Sequence, residues 1–114
     1  MRDPECLFCK IVHKEIDSTL VSESERALAF RDINPAAPTH VLIIPKDHLV
    51  SVRELTTAHG ELIGEIFELA AQIASDEGLE DYRLVSNVGP GAGQSVFHLH
   101  FHVLGGRSMS WPPG

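Results

Sequence analysis

His98, His100 and His102 stand at every second position, separated by Leu99 and Phe101 and followed by Val103. In an extended strand the side-chain period is two, so the three imidazoles share one face while the apolar groups turn into a core on the other. At the usual rise, neighbouring imidazoles lie roughly 6 to 7 Å apart, a spacing that suits several contacts along one phosphate-sized group. A helical reading brings His98 and His102 together and sends His100 to the far side, and the β-branched and aromatic neighbours disfavour it. A merely solvated strand face would more often carry Thr, Lys or Glu. A single zinc held by all three imidazoles is the competing chemistry. It needs an open metal position and a supporting carboxylate, and the sequence sets none obviously beside them.

Just before the histidines, Gly89-Pro90-Gly91-Ala92-Gly93-Gln94-Ser95 holds three glycines. Glycines let backbone N–H groups approach an anion and converge on it, although such loops often do no more than turn the chain. Cys6-Leu7-Phe8-Cys9 is the other pattern with chemistry in it. Its spacing fits half of a tetrahedral zinc site, a redox pair or coincidence. A redox pair typically follows a strand and opens a helix in a βαβ unit, and no strand precedes this one.

A small fold must position these residues. At 114 residues the chain is long enough for one core and too short for two, so one domain over 1–114 is expected. Nine Lys and Arg against sixteen Asp and Glu leave a net charge of −7 with no basic cluster. That balance argues against a polynucleotide ligand but not against a single nucleotide. No apolar run approaches a membrane span, and the first five residues lack the apolar core of a secretory signal. A cytoplasmic location is therefore expected.

A short helix is expected from about Cys6 to Lys14, then short strands around Val21 and over Ala27 to Arg31, then a proline-rich loop over Asp32 to Thr39. His40 to Pro45 is nearly continuous in apolar character, as for a central strand buried on both faces. Leu62, Ile63, Ile66, Phe67, Ala70, Ile73 and Ala74 form one helical stripe, with Thr56 or Thr57 available to cap it and Gly78 to end it. Strands follow over Tyr82 to Asn87 and Phe97 to Leu104, and the tail from Gly105 is too rich in glycine and proline for regular structure. The pattern reads as α+β with a mostly antiparallel sheet. His13 and His59 fall on helix surfaces with no evident part to play.

His98-Leu99-His100-Phe101-His102-Val103-Leu104 resembles the signature of the histidine-triad superfamily. Ala37-Pro38-Thr39-His40, Ile43-Ile44-Pro45-Lys46-Asp47-His48, Ser86-Asn87, Gly93-Gln94-Ser95-Val96 and the tail Gly105-Gly106-Arg107 through Trp111-Pro112-Pro113-Gly114 are similar to the Hint branch, whose members are purine nucleoside phosphoramidases. The resemblance implies a five-stranded, mostly antiparallel sheet with one long and one short helix, paired into a homodimer with a continuous ten-stranded sheet. It implies hydrolysis of purine nucleoside 5′-phosphoramidates through a nucleotidyl-histidine. The middle histidine, His100, would be the nucleophile, with a backbone carbonyl fixing its tautomer. His102 would contact the phosphate or leaving group, His40 would support proton movement, and His98 would complete the triad. Ser95 and Gln94 would bind phosphate oxygens or pass a proton to the amine, and Asn87 would orient the phosphate. Asp32 would hold the ribose, and Phe8, Ile11, Ile16 and Ile33 would wall the base, although plain core packing explains those four apolar positions equally well.

By the same resemblance, Cys6 and Cys9 would join His48 and His98 around a structural zinc that catalysis does not require. Cleavage of dinucleoside polyphosphates is a second reading within the superfamily; the Trp-Pro-Pro-Gly tail and a histidine at 102 favour the first. A nucleotide-binding scaffold with incidental hydrolysis would present the same pocket.

Overall fold

The computed structural model describes residues 2–114. Helix α1 (Leu7–Val12) is followed by strands β1 (Leu20–Glu23), β2 (Ala27–Arg31) and β3 (Thr39–Pro45), the long helix α2 (Gly60–Asp76), and strands β4 (Tyr82–Val85) and β5 (Phe101–Gly105). The five strands form one sheet in the order β1-β2-β3-β5-β4, and every neighbouring pair is antiparallel. The α+β architecture expected from the residue pattern is the one observed.

Alternation in β3 explains how the sheet is covered on both sides. Val41 and Ile43 face α2 and pack with Ile66, Leu69, Ala70 and Ile73. Leu42 and Ile44 face the opposite way and pack with Phe8 and Ile11 of α1 and with Leu28 and Phe30 of β2. All seven residues of β3 are buried, as a strand with apolar side chains on both faces requires. Each fully buried Ile or Val contributes about 1.5–3 kcal/mol relative to exposure. The turn between β1 and β2 is tied to α2 by Glu65, which accepts from the Ser24 hydroxyl at 2.5 Å and from the Arg26 backbone N–H at 2.7 Å.

The entry to α2 differs from expectation. Thr56 caps a 3₁₀ turn, Thr57–His59, that leads into the helix, and the His59 ring accepts from the Thr56 backbone N–H at 3.0 Å. His59 thus completes a reciprocal cap, a function its surface position did not suggest. Gly78, at φ +72°, takes the chain out of α2 in a conformation that a side chain would strain.

Strand β5 is also shorter than expected. Its ladder begins at Phe101, opposite Ile43, and residues 98–100 are not part of it. They are held instead by a hydrogen bond from the Leu99 N–H to the Leu49 carbonyl at 2.6 Å. Alternation survives the lost pairing, because Leu99, Phe101 and Val103 all enter the core beneath α2. Among the described residues no helix is long and apolar enough to cross a membrane.

Candidate active site and adjoining metal centre

His100 Nδ1 lies 2.7 Å from the carbonyl oxygen of His98. A carbonyl only accepts, so the hydrogen sits on Nδ1 and the lone pair on Nε2. The ring is buried, with the edge of Phe8 against it at a centroid distance of 5.2 Å. Ser86 fixes the same stretch of backbone, its hydroxyl donating to the His100 carbonyl at 2.7 Å.

The proton on His102 follows from a chain of the same kind. The Ala36 backbone N–H donates to His40 Nδ1 at 3.0 Å, which leaves the hydrogen of a neutral His40 on Nε2. That atom is 2.8 Å from His102 Nδ1 and donates to it. His102 therefore carries its own hydrogen on Nε2, a buried atom with no partner among the described residues. Burial pushes the His102 pKa down to about 4, helped by the nearby His100 and His40, with Asp32 opposing. Burial lowers His40 too, against the pull of Asp32, whose Oδ2 lies 3.4 Å from His40 Nε2. Both rings are neutral at pH 7. Asp32, His40 and His102 lie close enough together to suggest a cation site. However, His40 Nε2 carries hydrogen and has no lone pair to give, so the group is a hydrogen-bonded chain.

The rings of His100 and His102 are 5.0 Å apart between centroids, closer than the strand rise alone predicts, because they tilt edge to face. His98 turns elsewhere. Its Nε2 lies 2.9 Å from the Pro45 carbonyl and donates to it, which leaves the Nδ1 lone pair free. Nδ1 is 3.2 Å from Cys6 Sγ, 3.6 Å from Cys9 Sγ and 3.2 Å from His48 Nδ1, while Cys9 Sγ is 3.4 Å from His48 Nδ1. Ordinary zinc bond lengths give tetrahedral edges of about 3.3 Å for N–N and about 3.6 Å for N–S pairs. The two thiols and two imidazoles fit that cage. The alternative of one zinc bound by all three triad histidines fails, because His98 points into this cluster and His100 Nδ1 is spent on a carbonyl. Burial raises the Cys6 pKa, so a bound cation rather than the pocket itself would keep the sulfur deprotonated.

Asp3 was not evident from the sequence, where an acidic residue near a terminus carries no periodic signal. Its backbone N–H donates to Cys9 Sγ at 3.5 Å, and its carboxylate lies 4.0 Å from His48 Nε2.

The glycine loop turns through Gly89 at φ +86° and Gly93 at φ +96°. Buried Gln94 holds it together. Its Oε1 accepts from the Gly89 N–H at 2.9 Å, and its Nε2 donates to the carbonyls of Val50 at 2.7 Å and Val96 at 3.1 Å. The expected phosphate contact from Gln94 gives way here to loop bracing, since one buried amide satisfies three backbone groups. Ser95 is exposed and lines a cavity beside Cys6 and His48. Half-buried Asn87 approaches Gly93, where its Nδ2 would lie 3.7 Å from an added Cβ.

Of the four expected base-wall residues, Phe8 and Ile11 belong to the core cluster under α1. Ile11 and Ile16 line a cleft of about 170 Å³ with Leu20 and Leu28. Ile33 does not join them: it is 91% exposed beside Asp32.

The family model described as "Scavenger mRNA decapping enzyme C-term binding" matches residues 5–111. The "14 kDa zinc-binding protein" of Zea mays is 54% identical over 115 residues, covering 98% of this chain and 90% of that protein. The "Adenylylsulfatase HINT1" of Arabidopsis thaliana is 46% identical over 115 residues, covering 98% of this chain and 78% of that one. Among solved structures, a HIT family hydrolase from Legionella pneumophila Philadelphia 1 superposes with a TM-score of 0.94 at 52% identity, covering 96% of this chain and 100% of its own. An antiparallel five-stranded sheet that sets a His-x-His-x-His run beside a glycine loop defines a histidine-triad protein. With these matches, the chain belongs to the histidine-triad (HIT) superfamily, in its Hint-like branch.

Proposed function

We propose that this chain is a nucleotide hydrolase that cleaves purine nucleoside 5′-phosphoramidates through a covalent nucleotidyl-His100. The observation that carries the reading is the hydrogen bond from His100 Nδ1 to the His98 carbonyl, which leaves Nε2 as an unprotonated nucleophile. Nε2 attacks phosphorus as the P–N bond breaks, and the departing amine takes up a proton. The buried Nε2–H of His102 donates a hydrogen bond to a phosphate oxygen or the leaving nitrogen, the His40 contact at 2.8 Å holds the ring in that tautomer, and the amine's proton comes from solvent. Water then attacks the same phosphorus, and neutral imidazole leaves.

Asp32 stands where it can take a ribose hydroxyl while still facing His40. Ser95 and Asn87 bind phosphate oxygens at the loop, and Ile11 and Ile16 flank the base. Cys6, Cys9, His48 and His98 would hold zinc, which would supply a structural cross-link between α1 and the loop after β3. We assign the working form as a homodimer joined through an edge strand of the sheet, and the location as cytoplasmic. The name of the Arabidopsis relative favours adenylyl sulfate as a second substrate. Its leaving sulfate needs no added proton, so the same nucleophile serves both.

Mixing the protein with a slowly cleaved adenosine phosphoramidate and quenching tests the reading. Mass spectrometry should find one adenylate on the peptide containing His100. Turnover without any adduct, or an adduct elsewhere, would remove His100 as the nucleophile. Binding without turnover would leave a nucleotide-binding scaffold.

A further inference from the structure

His98 belongs to two sites at once. Its ring completes the metal cluster, and its carbonyl accepts the Nδ1–H of His100. The peptide group that carries this carbonyl is gripped from the segment 45–49. The Pro45 carbonyl takes the His98 Nε2–H at 2.9 Å, the Leu49 carbonyl takes the Leu99 N–H at 2.6 Å, and His48 faces His98 at 3.2 Å. From the other side, Cys6 and Cys9 bracket Phe8 on α1, and the Phe8 ring packs edge-on against both His98 and His100. Two independent routes therefore lead from the four metal ligands to the His100 ring, one through a backbone carbonyl and one through an aromatic wall.

We propose that the metal centre is a positioning device for His100: the bound cation locks the His98 peptide and the Phe8 ring, and so holds the His100 ring and its Nδ1 hydrogen in place. His98 is then a positioning residue whose ring acts at a distance from the phosphate. The proposal rests on the preceding functional reading only for its effect on rate.

The test uses ¹⁵N NMR of the histidine rings in the full chain, zinc-loaded and then stripped with chelator, with no substrate present. The loaded protein should show a slowly exchanging His100 Nδ1–H. Stripping should speed its exchange by about tenfold or more, and added zinc should restore it. The turnover number should fall by about 10- to 100-fold on stripping, in the range typical for losing support around a site. Cys6→Ser should reproduce both changes, with circular dichroism reporting whether the sheet persists. Where the stripped chain loses its fold, cadmium-loaded protein gives the comparison. Its longer metal–sulfur bonds should shift the His100 ring resonances relative to zinc. Identical His100 signals in folded stripped and loaded protein, or in cadmium and zinc forms, would overturn the proposal. A metal-sensitive His100 in a protein that cleaves no phosphoramidate would support the coupling and remove the substrate assignment instead.

Discussion

His40 Nε2 and His102 Nδ1 face each other at 2.8 Å, and the Ala36 N–H on the far side of His40 decides which of them carries the hydrogen. One backbone donor therefore sets the tautomers of two rings. Replacing His40 with Asn keeps a donor but shortens it. The rate of nucleotidyl transfer should fall by about 10- to 100-fold, as for loss of a supporting contact that orients a site ring, with nucleotide affinity changed little. Single-turnover kinetics with a phosphoramidate and titration with adenosine monophosphate separate the two effects.

Acidification acts on the same pair. His102 has its pKa lowered from 6.5 to about 4 by burial, so between those values the unfolded chain binds more protons than the folded one. Stability should be greatest above about pH 6.5 and fall continuously as pH drops toward 4. Urea unfolding at pH 7.5, 6 and 5 should show this decline, and His102→Gln should lessen it, with buried His98 and His40, lowered in the same direction, accounting for part of the rest. Equal slopes in the two proteins would mean that other groups govern the acid limb.

His100→Ala removes the proposed nucleophile. Turnover should drop by about 10³-fold or more, since no neighbouring group has a free lone pair at that place. Adenosine monophosphate should still bind, as measured by calorimetry, within a few-fold of the parent.

Gln94→Ala should cost about 1–2 kcal/mol, because it removes the buried amide that pairs the part-buried Gly89 N–H and the carbonyls of Val50 and Val96. Chemical denaturation measures the loss. By contrast, Ile33→Ala should move stability by less than about 0.5 kcal/mol, as for an exposed side chain.

Asp3→Asn should weaken zinc binding by about tenfold, through its lost approach to His48, while leaving the four ligands in place. Competition with a chromophoric chelator reads the change, and unaltered affinity would reduce Asp3 to a surface residue.

The sheet and its long helix were legible because period-two and period-3.6 patterns report which faces are buried, as Val41 to Ile44 and Ile66 to Ala74 do. Which residues share a site was legible from spacing and family resemblance together: Cys6, Cys9, His48 and His98 do converge. What the residues do once assembled was less so. Nothing in the order of residues says that Gln94 would spend its amide on three backbone groups, or that Ile33 would stand in solvent. Those outcomes depend on how a loop closes, which no local pattern encodes. The division of the triad into one ring of the cysteine–histidine cluster and two facing rings likewise depends on carbonyls, which every residue possesses and no sequence motif displays.

The early end of the β5 ladder at Phe101 has a chemical result. Inside a regular sheet every main-chain oxygen is claimed by the strand alongside. Carried on through residues 98–100, the ladder would commit the oxygens there to neighbouring amides, which would compete with the His100 ring for the His98 carbonyl. By releasing its last paired residue just past the middle histidine, the sheet leaves an ordinary peptide oxygen to select which nitrogen of His100 carries hydrogen.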